Sequence, residues 1–313
     1  MADAIVSRAG QIDGAGDVRA IFLKVFAGEV LTAFERETAF KNRHMIRQIA
    51  SGKSAQFPVT GRASALYHTP GAEITGGVIR HGEKVINIDD MIIAPVFIAN
   101  IDEAMNHYDY RGIYSNEIGE ILAKGYDQNV ARAMILAARN SSGLLTELPG
   151  GARQTGAGYG NDGTVIWQGI FNAGVTLDGK DIPKSDRSAF LLPTQYALVV
   201  MSEKPIHRDL TNANGGLDTG MIERINNIEL VKTNNLPGSN DTANENIASN
   251  LRADFSATRG VVAHRSAAAT VQLQDVALES AYDIRRQGTL MVGKYLVGTD
   301  QLRPDAAVEL ATS

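Results

Sequence analysis

The stretch from Tyr110 to Arg139 constrains this chain more than any other. Ile113, Ile118, Ile121, Leu122, Val130, Ala133, Met134 and Ala137 recur at helical spacing, and Asp109 stands where a capping side chain belongs. A continuous helix over this span is about 45 Å long at 1.5 Å per residue. Glycines at 112, 119 and 125 each weaken a helix by about 1 kcal/mol relative to alanine, so a bend or close backbone packing is expected at them.

Upstream, residues 1–16 are small and polar, and read as an arm. Asp17 then precedes "VRAIFLKVFAGEVLTAFERE", whose Val18, Ile21, Phe22, Val25, Val30 and Phe34 fall near one helical face that needs a partner. Two extended runs follow, flanking "PGAEITGG", in the pattern of a long hairpin. Its tip, Gly61 to Val78, is poor in large aliphatic side chains and cannot make a core of its own, so it must lie across something else or stay mobile.

Downstream of the long helix, the glycine-rich "LPGGARQTGAGYGNDG" lacks phosphate-binding spacing and reads as a flexible connector. "TVIWQGIFNAGVTLDG" is helical. "SAFLLPTQYALVV" is a buried strand followed by a helix beginning near Thr194, and "IERINNIELVKTNNLP" is a strand with its turn. The Asn-rich "TNNLPGSNDTANENIASN" reads as a surface loop, and the remainder as several strands. Helices and strands come in separate runs rather than in βαβ alternation, so the expected class is α+β.

Composition narrows the function. A chain of 313 residues with 44% hydrophobic and 21% charged residues buries a sizeable core. A net charge of −5 without a run of Lys and Arg argues against a dedicated nucleic-acid binder. The absence of cysteine excludes a disulfide framework and thiolate chemistry, and suits a reducing cytoplasm. No signal-peptide core and no run of 18 apolar residues occurs, so neither export by that route nor a membrane span is expected.

Motifs that carry chemistry are weak. Gly52-Lys53-Ser54 matches the end of a phosphate-binding loop, and "KVINIDD" resembles a metal-binding strand ending in Asp89 and Asp90. The loop needs a glycine at the position of Arg47 and a helix after it, whereas Pro58 and Gly61 favour an extended segment. His44, His68, His81, His107, His207 and His264 include no pair at helical ligand spacing, so no metal and no other cofactor is expected. Ser266 follows His264 but lacks a nucleophile elbow. No catalytic residue is assigned, and the expectation is that the chain is not an enzyme.

Six blocks in order, "IFLKVFAGEVLTAF", "RHMIRQIASGKSAQFPVTGR", "EKVINIDD", "DEAMNHYD", "HRSA" and "LRPDAA", resemble the major capsid proteins of short-tailed bacteriophages of the T-seven-like, autographivirus type. The resemblance thins between about 140 and 260. It implies the fold shared by tailed-phage and herpesvirus major capsid proteins. Residues 1–50 would form the N-terminal arm and helix, 51–98 the extended E-loop, and 99–180 a P-domain with its spine helix at 110–139. An A-domain would follow at 181–275, then return strands at 276–300 and a C-terminal segment at 301–313. It implies self-assembly into pentamers and hexamers of an icosahedral head, with a scaffolding protein, a portal and double-stranded DNA as partners, in a virion assembled in the host cytoplasm. The DNA would be met on the inner face without sequence specificity. The expected intersubunit residues are Phe22, Val25, Phe34, Lys53, Arg62, Leu66, Tyr67 and Ile74. Two rival readings are an encapsulin-like nanocompartment shell and a nucleotide-binding enzyme using Gly52-Lys53-Ser54.

Overall fold

The computed structural model describes residues 38–101 apart from 64, 66, 72, 75 and 90, then 110–202, 215–216, 221–222 and 224–313. The expected arm, the helix from Val18 to Phe34 and the Asp109 cap lie outside the described residues.

The chain divides into two compact units, one drawing on segments within 90–126 and 274–297, the other on 39–89, 127–273 and 298–313. Helix α1, Tyr110–Arg139, is continuous over 30 residues, the span its periodicity predicts. It contributes its first half to one unit and its second to the other.

In the first unit, strand β4, Ile92–Ala99, pairs antiparallel with the early part of β13, Gly288–Gln301, from Gly288↔Ala99 to Tyr295↔Ile92. Alternation puts Met291 and Tyr295 on one face with Ile98, and Ile118 and Leu122 of α1 pack there. Gly293 lies between them in register, where a Cβ would run into Ile118 and Leu122, so the helix rests directly on the strand. Tyr126 meets Tyr295 edge-on, with ring centres 6.4 Å apart. Ile121, counted above as part of the apolar stripe, is instead exposed. β4 also departs from the expected hairpin, because its partner is β13.

The second unit holds a six-stranded mixed sheet of β5 (Ala152–Thr155), β6 (Arg187–Leu191), β9 (Arg224–Ile225), β10 (Ile228–Lys232), β11 (Thr258–His264) and β14 (Ala307–Ala311). The spatial order is β5-β14-β11-β6-β10-β9. β6 and β14 are buried at every residue, and apart from Arg187 and Glu309 their side chains are apolar or small. Helix α2, Gly163–Gly179, is capped by Asp162, whose carboxylate accepts from Thr164 N at 2.8 Å. Helix α3, Pro193–Met201, starts with Pro193 in its first turn, and β10 lies parallel to β6. Asn226 and Asn227 turn β9 into β10 with φ of 49° and 62°, the left-handed pair that a two-residue hairpin loop requires.

The glycine-rich segment is an ordered part of the sheet, since β5 pairs parallel with β14. A Cβ on Gly150 would strike the backbone of Ser141, and one on Gly151 that of Ala137 and Ala138, so these glycines allow close backbone approach rather than flexibility. The Asn-rich segment is irregular but buries Asn235, Leu236, Asp241 and Ile247, because polar partners on α1 receive it.

Candidate functional site

Strands β2, Ser54–Thr60, and β3, His81–Asn87, pair antiparallel from Ser54↔Asn87 to Thr60↔His81. Pro58 is tolerated on this two-stranded ribbon, whose strands each have a single strand neighbour. The strict alternation of β2 buries Ala55, Phe57 and Val59, and Ala55 and Phe57 pack with Ile86 against Ala269, Val271 and Leu302. Arg47 lies over the Phe57 ring at 5.8 Å and donates to the Gln56 carbonyl, and Lys84 pairs with Asp300 at 2.8 Å. The base of the ribbon is therefore anchored.

The ladder stops where Gly61 N donates to Arg80 O at 2.8 Å. Beyond it the described residues up to 80 form no strand or helix. Tyr67 is fully exposed at 106%, Val78 at 85% and Ile74 at 80%. Each such side chain would gain about 1.5–3 kcal/mol if fully buried, so the tip holds apolar surface that finds no cover among the described residues.

A polar brace lies just below the tip. Arg62 donates to Asp181 Oδ2 at 2.7 Å and to the Lys180 carbonyl at 3.0 Å, and Arg80 faces Glu147 at 3.5 Å. The Lys180 ammonium donates to the Gly150 carbonyl at 2.8 Å. Burial pushes its pKa down, which costs the charged form and is partly offset by Asp305. Asp181 sits at a φ of 56°, so the receiving loop is itself held in a left-handed turn.

Of the residues expected at an interface, Tyr67 and Ile74 are together on the exposed tip, and Arg62 is engaged within its own chain. Lys53 is exposed in the bend before β2, and Phe22, Val25, Phe34 and Leu66 fall outside the described residues. Sequence reasoning passed over Val78 and Ile79, although an apolar pair directly after Gly76 and Gly77 was a legible signal. It also missed Asp181, Glu147 and Arg80, whose roles depend on contacts more than 60 residues apart.

The chemistry-bearing motifs resolve into structural roles. Gly52, at φ 113°, and Lys53 turn the chain into strand β2, so the helix that a phosphate loop needs is replaced by a strand. His44 is buried, with Nδ1 2.7 Å from the Phe40 carbonyl and Nε2 3.0 Å from the Thr270 hydroxyl. His264 Nδ1 accepts from Ser266 N at 3.2 Å, which makes it a cap, and burial lowers its pKa. Among the described residues, no group of His, Asp and Glu is arranged to hold a metal, and no helix is long and apolar enough to cross a membrane.

Comparison with known proteins bears on the same elements. A family model described as "Gp10A-like: Major capsid protein" matches residues 56–311. The chain is 36% identical to the major capsid protein of Enterobacteria phage T3, over 95% of this chain and 93% of that one. It is 35% identical to the major capsid protein of Escherichia phage T7, over 94% and 92% of the two chains. The capsid structure of cyanophage P-SCSP1u superposes with a TM-score of 0.83 at 40% identity, covering 100% of this chain and 99% of that one.

Proposed function

We propose a mechanical function on the premise that this chain belongs to the Gp10A-like family of phage major capsid proteins. Its place is the virion, where copies assemble into the lattice of an icosahedral head. In our reading the lattice is made of pentamers and hexamers built around a scaffolding protein in the host cytoplasm, with a portal and, later, packaged double-stranded DNA as further partners. The chain works without catalysis and without a cofactor. A net charge of −5 suits a container that must not adsorb its cargo tightly.

Within this reading residues 1–50 form the arm and helix, the hairpin within 51–98 is an E-loop, and α1 is the spine of a P-domain at 99–180. An A-domain spans 181–275, return strands follow at 276–300, and residues 301–313 close the chain. Phe22, Val25, Phe34, Lys53, Leu66, Tyr67 and Ile74 are the proposed intersubunit contacts, with Arg62 positioned beside them by its brace.

The observation that carries the proposal is the hairpin, with an anchored base and exposed apolar side chains at its tip. Ordering such a tip becomes favourable when a neighbouring copy supplies the missing surface, and a closed ring repeats that gain at every contact. Replacing residues 62–78 with a short Asn-Gly turn should leave a soluble subunit of unchanged helical content that no longer closes shells in electron micrographs. Normal particles, or a chain that fails to fold, would overturn this assignment.

A further inference from the structure

Helix α2 carries a surface that neither the hairpin nor the buried core uses. Its inner side is fixed by small residues in close packing. A Cβ on Gly163 would strike the Leu198 backbone, one on Gly169 the Tyr159 ring, and one on Gly174 the Asn226 side chain. Ile166, Ile170 and Leu177 fill the rest of that side.

The outer side is unusual. Phe171 is 41% exposed and Val175 55% exposed, and half-buried Trp167 stacks on Phe171 with ring centres 6.0 Å apart. Residues 167, 171 and 175 are four apart, so they form one stripe along the helix. A helix facing water ordinarily carries charges on that face, yet no Asp, Glu, Lys or Arg occurs from Gly163 to Leu177. The exposed residues beside the stripe are Gln168 and Asn172, both polar and neutral.

We propose that this stripe is a contact surface for a second copy of the chain in the capsid lattice, separate from the hairpin contact. Charge selects the occupant. Copies of a chain with net charge −5 repel one another, and a contact between them is favoured where neither side presents charge. DNA would call for cations on the stripe. Aromatic side chains, with polar neutral neighbours at the rim, are what the centres of protein interfaces are made of. The surface is one helix wide, so it adds to a ring held by other contacts rather than making a stable pair alone. The inference rests on the shell-forming function stated above.

Trp167 is the only tryptophan in the chain, so its emission reports this face without labelling. Acrylamide quenching is measured on the purified full chain before assembly, on scaffold-containing shells and on finished shells. The expected result is a fall in the quenching constant of about threefold or more on assembly that persists in finished shells. The double variant Phe171→Ser, Val175→Ser should keep the wild-type melting temperature and raise the concentration needed for shell formation about tenfold or more. Unchanged quenching in finished shells overturns the inference, as does a double variant that assembles normally. Protection confined to scaffold-containing shells also overturns it, because the occupant is then the scaffold. If the wild-type chain forms no shells under any condition, the failure belongs to the shell-forming function itself.

Discussion

The hairpin tip and the second half of α1 are built in opposite ways. At the tip, Tyr67, Ile74 and Val78 stand in solvent and the ion pair below them is exposed. In the second half of α1 polar side chains are instead drawn into the interior and paired there. Asp127 accepts from Ala39 N at 2.8 Å and Asn235 Nδ2 at 3.0 Å, Arg132 pairs with Asp241 at 2.8 Å, and Arg139 pairs with Glu309 at 2.7 Å. Buried polar groups tolerate few geometries and so fix one arrangement of the segments they join. Exposed apolar groups leave the local arrangement open until a partner covers them. One region fixes the subunit, while the other, in the function proposed above, awaits a neighbouring copy.

The strongest way to break this contrast is at Glu309. Its side chain is fully buried and accepts from Arg139 Nε and Nη2 at 2.8 and 2.7 Å and from the Thr258 hydroxyl at 2.7 Å, and Arg153 forms an ion pair with it at 3.1 Å. Glu309→Ala leaves two guanidinium groups without their carboxylate. The expected loss is about 3–5 kcal/mol of subunit stability, measured by denaturant unfolding of the unassembled chain. A loss below about 1 kcal/mol would show that the cluster does not specify the subunit.

A second test sharpens the contrast through pH. Burial is the main cause that lowers the His44 pKa to about 4; the Phe40 carbonyl opposes it and Arg265 adds to it. The folded chain therefore keeps His44 neutral while the unfolded chain protonates near 6.5. Stability from this residue is complete above about pH 6.5 and falls as pH drops toward 4, by about 3 kcal/mol in all. His44→Gln keeps a donor and an acceptor but does not titrate. Its stability curve between pH 6.5 and 4 should be flatter than the wild-type curve by about that amount, and parallel curves would contradict the buried, neutral histidine.

Much of this was legible in the sequence, and the reason differs by element. The long helix was readable because Val130, Ala133, Met134 and Ala137 repeat at helical period and are all buried. The ribbon was readable because extended runs flank the Gly- and Pro-containing stretch from Pro70 to Gly77. β5 was missed because the glycines just before it, Gly150 and Gly151, serve contacts with Ser141, Ala137 and Ala138 that only the fold creates. The buried Asn235 and Asp241 were missed for a related reason. Their partners, Asp127 and Arg132, are more than 100 residues away, and composition alone made the segment look solvated. At the candidate site, the exposed tip followed from its lack of large apolar neighbours, whereas the brace joins Arg62 to Asp181 across 119 residues.

The smallest expected effect concerns that brace, and it separates the two regions most cleanly. Arg62 and Asp181 are 51% and 72% exposed, so their ion pair is screened and worth about 0.2–1 kcal/mol, far less than the buried Glu309 cluster. Arg62→Gln should therefore leave the global unfolding transition within about 1 kcal/mol of wild type. Local opening of the tip is a different quantity, governed by the few contacts that hold it. Tyr67 lies fully exposed at that tip and offers a chymotrypsin site, so its cleavage rate in the unassembled subunit measures how freely the hairpin moves. Cleavage after Tyr67 should speed up by as much as about fivefold in the variant at low salt, the factor that corresponds to 1 kcal/mol. At about 1 M salt, where the screening length is about 3 Å, the wild type should approach the variant. A cleavage rate that ignores both the substitution and the salt would mean that the packed base alone sets the hairpin, and that the brace plays no part in holding the tip ready.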